Sequence, residues 1–312
     1  MITVWLFVCI VLVGLVTGGL AFMAIAVTTA TPTLTSGVFV QVHQALFRMA
    51  DPIMPIFVCA SLVATAPLAL ALFRDDADES GAWILATTIG LVAVVVITRM
   101  VNKPINRTVS HWDAMHPPAN WARERSRFNR FHAWRTVAAA VSFLTVVGVG
   151  VAVTAPTTVE RVWALVAVPV SGLIGGGLAF MYVVVGRATM TLDGSAYVAT
   201  HQATSLTATR YMTPLTLASV ISAGGFSVVL WRSGSTVGAL LAGGAALASL
   251  TVVIISVSVS VPMNRRIAKW DKACPPAEWA QVRARWMRVH RVRASVAVLA
   301  FLLLSAGFLS SI

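Results

Sequence analysis

The sequence predicts an all-α, polytopic membrane protein whose eight transmembrane helices form two parallel four-helix repeats about a pseudo-two-fold axis along the membrane normal. Three observations carry the prediction. Of 312 residues, 58% are hydrophobic and only 11% are charged, where a soluble domain carries about a quarter charged residues. Eight apolar segments are long enough to cross a hydrocarbon core of about 30 Å at about 1.5 Å per residue. The chain also repeats itself at one constant offset of 158 residues. A soluble globule is excluded. The three cysteines, Cys9, Cys59 and Cys274, make neither a disulfide framework nor a Cys-x-x-Cys site.

In chain order the spans fall at roughly 3–27, 52–73, 82–101, 134–154, 162–186, 212–231, 236–258 and 294–311. The first resembles a secretory signal with Ala24-Ile25-Ala26 as its cleavage site. It lacks a basic n-region, however, and its Gly18–Met23 hexapeptide recurs word for word as Gly176–Met181, so it is taken as a span of the folded protein. The segments joining the spans alternate between two sides. Those around 28–51, 99–135, 187–211 and 262–293 hold 20 of the 23 Lys and Arg and 6 of the 11 Asp and Glu; the other side has a net charge of −2 and both termini. Basic residues stay inside, which predicts a cytoplasmic (inner) membrane protein with both termini outside and the long basic loops in the cytoplasm. This distribution accounts for the net charge of +12 without nucleic acid, and names the lipid bilayer and its anionic headgroups as partners. The preponderance of Arg over Lys, with abundant Ala and Val, points to a high-GC bacterial genome.

The repeat divides the chain into residues 1–155 and 156–312, each a four-span unit. An even number of spans gives both copies one orientation, hence an intramolecular pseudo-dimer. Gly14-x-x-x-Gly18 and Gly172-x-x-x-Gly176 are small-residue faces that permit close backbone approach, either at the axis or within each bundle.

The duplicated element reads Pro-x-Asn-Arg-x4-Trp-Asp-x3-Pro-Pro-x2-Trp-x3-Arg-x-Arg-(Phe/Trp)-x3-His-x2-Arg. Pro104 and Pro262 are expected to end the extension of the third span in each copy. The double prolines, Pro117-Pro118 and Pro275-Pro276, suit the first turn of a new helix that runs into the fourth. On that helix Trp121, Arg125, Phe128, His132 and Arg135, and in the second copy Trp279, Arg283, Trp286, His290 and Arg293, share one face.

This pattern resembles a family of small four-span membrane proteins, some of whose members are anthrone oxygenases. The resemblance covers each half separately and departs from the usual single unit through its tandem duplication. It implies oxygenation of a hydrophobic aromatic, anthrone- or quinol-like, without a dedicated cofactor.

Four histidines form equivalent pairs, His43 with His201 and His132 with His290, all on the predicted cytoplasmic side. Imidazole suits proton transfer near neutral pH, metal ligation, or a hydrogen bond to a helix end. No His-x-x-x-His spacing supports a metal or haem site, so no metal or cofactor is assigned; these four would be its ligands. His116 stands opposite Cys274, which argues against an equivalent role for the two. Asp113 and Asp271 are either caps or ion-pair partners of an arginine, or the acid–base partners of a histidine. Arg135 and Arg293 enter the membrane one turn beyond the histidine, where each needs an internal partner or the anionic oxygen of a substrate. Asn106 and Asn264 either satisfy helix-end carbonyls or touch substrate. Trp112, Trp121, Trp270 and Trp279 are either interfacial anchors or, with Phe128 and Trp286, a stacking surface for a planar ligand. Two function classes follow. One is a membrane oxygenase or oxidoreductase working at the cytoplasmic mouth of the bundles; the other is a non-catalytic lipid or quinone binder, or a subunit of a membrane complex. No charge lies mid-span, which argues against an ion-coupled transporter.

Overall fold

The structure, a computed structural model, describes residues 2–74 and 78–310. Asp75 and Asp76, counted above toward the charge of the outer connections, lie outside the described residues. Eight helices are each long and apolar enough to cross a membrane: α1 (Ile2–Thr33), α2 (Ser36–Arg74), α3 (Glu79–Val109), α4 (Trp121–Thr154), α5 (Thr158–Thr189), α6 (Gly194–Arg232), α7 (Thr236–Ile267) and α8 (Trp279–Leu309). No strand occurs among the described residues. The protein is a multi-pass membrane protein of two four-helix repeats, and its outer apolar side chains contact lipid.

Three local expectations are corrected. The segment around 28–51 is not a loop. Most of it is the first part of α2, a 39-residue helix, which at about 1.5 Å per residue is nearly twice as long as the hydrocarbon core is thick. His43 and Asp51 therefore lie on one continuous helix with the second span, and His201 has the same relation to α6. Pro104 and Pro262, secondly, do not end the third span of each repeat. A π-helical turn, Thr98–Asn102 or Ser256–Ser260, precedes the proline, which then takes the first turn of a helical continuation. There its missing N–H leaves no gap in the backbone ladder. Lastly, the double prolines stand before α4 and α8 rather than in their first turns. Trp121 N donates to Pro118 O and Trp279 N to Pro276 O, so each helix begins at the tryptophan.

The open question about the glycine faces is settled by contact: they pack between the repeats. A Cβ on Gly18 would lie 2.6 Å from Gly172 O and 2.8 Å from Gly176 Cα, and a Cβ on Gly176 would lie 2.6 Å from Leu15 O and 3.0 Å from Gly14 O. The pairs are reciprocal, as in an isologous interface: Gly18 meets Gly172 while Gly176 meets Gly14. Phe143 and Phe301, equivalent residues, meet edge to face with centroids 6.1 Å apart. Phe180 packs on Gly19 just as Phe22 packs on Gly177. Lipid is as apolar as the helices, so close backbone packing holds α1 to α5.

Gly18→Ala places a methyl group against backbone that has no rotamer with which to yield. It is expected to destabilise the protein by about 1–3 kcal/mol, read as a lower thermal midpoint in detergent. Gly148→Ala, which meets nothing within 4 Å, is the matched control.

Candidate functional site

At one end of each repeat the buried face of the fourth helix meets the long second helix and the π-turn of the third. In the first repeat Phe128, His132 and Arg135 of α4 are all buried. Their spacing of four and three places them on one stripe, and the rings of Phe128 and His132 stack at 5.8 Å with 11° between planes. Arg135 Nε donates to His132 Nδ1 at 2.8 Å. Guanidinium can only donate, so Nδ1 is the unprotonated nitrogen and Nε2–H points at Leu20 O, 3.1 Å away. Both nitrogens of a neutral imidazole are thereby committed. Arg135 Nη1 is fixed a second time by Thr98 Oγ1 at 3.2 Å, in the π-turn of α3.

His43 of α2 donates from Nε2 to Asn106 Oδ1 at 3.1 Å and is boxed by Phe39, Phe47 and Phe128. Beside it the Gln44 amide donates to the carbonyls of Val109 and Trp112, each at 2.9 Å. These bonds satisfy the open end of α3 and clamp it to α2.

Between these elements lies a cavity of about 120 Å³. Its polar lining is Asp51, Thr98, Arg99, Lys103, Asn106, His132 and Arg135; Leu20, Met54, Val58 and Val94 are among its apolar walls, with Phe180 from the other repeat. The polar neighbours of Asp51 are Lys103, Asn106 and Arg135. A wider cleft of about 770 Å³ shares Asp51 and Asn106 with the cavity and is ringed by Arg48, Arg99, Lys103 and Arg107, with His43 in its wall.

The second repeat keeps the frame and changes the contents. His201 Nε2 donates to Asn264 Oδ1 at 3.1 Å, and Gln202 Nε2 to Ile267 O and Trp270 O at 2.9 Å each. Trp286 stacks on His290 at 4.8 Å with parallel planes, and its Nε1 also donates to Asn264 Oδ1. Arg293 Nη1 reaches Ser260 Oγ at 3.2 Å and His290 Nδ1 at 3.5 Å, leaving Nε buried without a partner. The cavity here is about 190 Å³.

Other candidates stand apart. Asp113 and Asp271 sit on exposed loops, and neither lines either of these two cavities. Asp113 accepts from Met115 N at 2.9 Å and pairs with His116 at 2.8 Å; these contacts, His116 first, hold its carboxyl below the usual range. Asp271 accepts from Ala273 N at 2.9 Å. Among the described residues no hydrogen bond joins either aspartate to the four paired histidines. Trp121 packs on Phe39 and under Arg125, and Trp279 packs on Tyr197 and under Arg283. Arg283 Nη1 donates to Thr189 O and Leu192 O at 2.8 Å, tying α8 to the end of α5. Trp112, Trp121, Trp270 and Trp279 stay outside both cavities, whereas Trp286 lines the second. Among the described residues no three His, Cys, Asp or Glu side chains converge as a metal site would require.

The family model for anthrone oxygenases matches residues 43–145 and, a second time, residues 201–303. The chain belongs to the anthrone oxygenase family. No curated protein and no solved structure matches it. The two anthrone oxygenase segments begin on the equivalent histidines His43 and His201, and together they cover about two thirds of the chain. Helices α1 and α5 lie outside the matched segments, yet they supply Leu20 and Phe180 to the first cavity.

The sequence does not mark Asp51 as a site residue, because it falls in a stretch that reads as a connection and has no counterpart, position 209 being threonine. One signal was present: His43, Phe47 and Asp51 recur at every fourth residue, which on a helix is a single face.

Proposed function

We propose that this protein is a membrane oxygenase acting on an anthrone- or quinol-like aromatic at the cytoplasmic face of the inner membrane, with both termini outside and the basic loops against anionic headgroups. In this reading the copies divided at 155/156 work as an intramolecular pseudo-dimer, and the first-repeat cavity is the reaction site. The observation that carries the proposal is that Asp51 and an anchored Arg135 line the same partly apolar cavity.

A hydrophobic ring system enters from the bilayer between the apolar walls. Asp51 takes a proton from the ring methylene next to the aromatic ketone system, leaving the electron pair delocalised onto the ketone oxygen. Arg135 faces that developing oxyanion. Dioxygen is the oxidant: it forms the new C–O bond, the resulting peroxide takes up the proton, and loss of water leaves the quinone carbonyl. For an anthrone, one dioxygen is consumed and one quinone and one water are made per turnover. His132 is a positioning residue here, because both its nitrogens are occupied and the one facing Arg135 fixes that side chain. His43 and Asn106 hold α2 against α3, so that Asp51 stays at the cavity.

The test is oxygen consumption by the protein reconstituted in lipid vesicles, with a panel of anthrones and quinols and quinone absorbance read in parallel. With the anthrones, one dioxygen per quinone is expected. The Asp113→Asn, Asp271→Asn double variant should retain turnover within about twofold, as replacements on an exposed loop do. Folded protein that consumes no oxygen with any member of the panel overturns the proposal.

A further inference from the structure

The repeats share a frame, but the charges in their cavities differ. In the first, Asp51 stands near Arg135 and cations ring the mouth. In the second, the equivalents of Asp51, Arg99 and Lys103 are Thr209, Val257 and Val261, and among the described residues Arg293 is the one Lys, Arg, Asp or Glu lining the cavity. We propose that the second-repeat cavity is a binding site for a monoanionic amphiphile, a carboxylate or phenolate on an apolar body, whose charge is held by Arg293.

The geometry favours an anion. The Arg293 guanidinium is only partly exposed, and among the described residues its acceptors are the neutral Ser260 Oγ and His290 Nδ1, so a bound anion would supply the counter-charge it lacks. Arg135 aligns its Nε on the histidine at 2.8 Å; Arg293 turns Nη1 to that nitrogen instead, and its Nε is left buried with no acceptor. The Ser205 and Thr209 hydroxyls on the α6 wall add neutral donors where the first repeat has Phe47 and Asp51. Thr213, Thr216 and Asn264 add further neutral polar groups, while Met212, Leu217 and Val253 give apolar wall that suits a hydrocarbon or aromatic body. Among the described residues no carboxylate lines this cavity. Its free-fatty-acid and aromatic-phenolate sources share one chemistry, and the probe set below separates them.

Trp286 lines the cavity and serves as the reporter. The full-length protein in lipid nanodiscs is titrated with dibromostearate, with a brominated hydrophobic phenol above its pKa, and with dibromostearate methyl ester. Tryptophan quenching is the signal, and the part absent from Trp286→Phe is counted. Saturable quenching by one or both anions and none by the ester is expected; the anion that saturates identifies the source. Arg293→Gln should weaken saturable binding roughly tenfold or more, and Arg135→Gln should leave it unchanged. Thr209→Asp supplies the internal counter-ion present in the first repeat and should abolish binding while keeping the fold, so a poorly folding Arg293→Gln does not shelter the proposal. Equal saturation by the ester, or binding that survives Thr209→Asp, overturns it. No step of the test uses turnover, so loss of the oxygenase reading leaves it standing.

Discussion

Arg135→Gln is expected to lower turnover on anthrone-type substrates by about 10² to 10³-fold, the usual loss when one preorganised oxyanion donor is removed. The side chain is held on two sides, by His132 Nδ1 at 2.8 Å and Thr98 Oγ1 at 3.2 Å, so its charge is in place before substrate arrives and needs no reorganisation when the ketone oxygen becomes negative. Lysine does not restore this: an ammonium cannot bond the imidazole and the threonine while presenting a planar edge to the cavity. Arg293→Gln, the equivalent change in the second repeat, should leave turnover unchanged. The comparison is made on oxygen uptake by reconstituted protein, with kcat and KM separated. A drop confined to KM would mean that Arg135 binds the ground state only, and equal losses from both variants would place chemistry in both repeats.

Asp51→Asn should reduce kcat by about 10² to 10⁴-fold, the range for removal of a positioned general base, with KM little changed because the walls that hold the ring system are untouched. The amide is nearly the same size and keeps a hydrogen-bonding group towards Asn106, so folding is not at issue. The substitution also separates the repeats: the second has threonine at this place and cannot compensate if the first holds the reaction. Full activity in Asp51→Asn would remove the carboxylate from the mechanism and turn attention to the second cavity. Deuterium at the ring methylene gives an independent readout, since its isotope effect on kcat should grow in the variant if proton removal becomes slower.

Much of the architecture was legible in one dimension. Membrane spans are long, uninterrupted and apolar because no water inside the bilayer can satisfy a free backbone group, so eight of them stand out in the composition alone. The offset of 158 residues exposed the duplication, and the spacing of Phe128, His132 and Arg135 exposed the buried stripe. The misreadings lie where polar sequence continues a helix beyond the bilayer. Residues 36–51 and the stretch past Pro104 resemble connections because hydropathy reports the surrounding solvent, and backbone hydrogen bonding does not depend on it. Asp51 was lost with them.

From sequence alone came the membrane class, the eight spans, the repeat and the family resemblance, all of which rest on local periodicity and on comparing the chain with itself. Tertiary structure alone decided that the glycine faces meet between repeats, that His132 spends both nitrogens on Leu20 and Arg135, and that Asp51 reaches the cavity of Arg135 while Thr209 stands in its place beside Arg293. Apart from the bond between His132 and Arg135, one turn apart on the same helix, each of these brings together residues tens of positions apart in the chain or in opposite repeats. Periodicity gives the face on which a side chain lies, but its partner is set by how helices cross, and crossing is a property of the packed bundle.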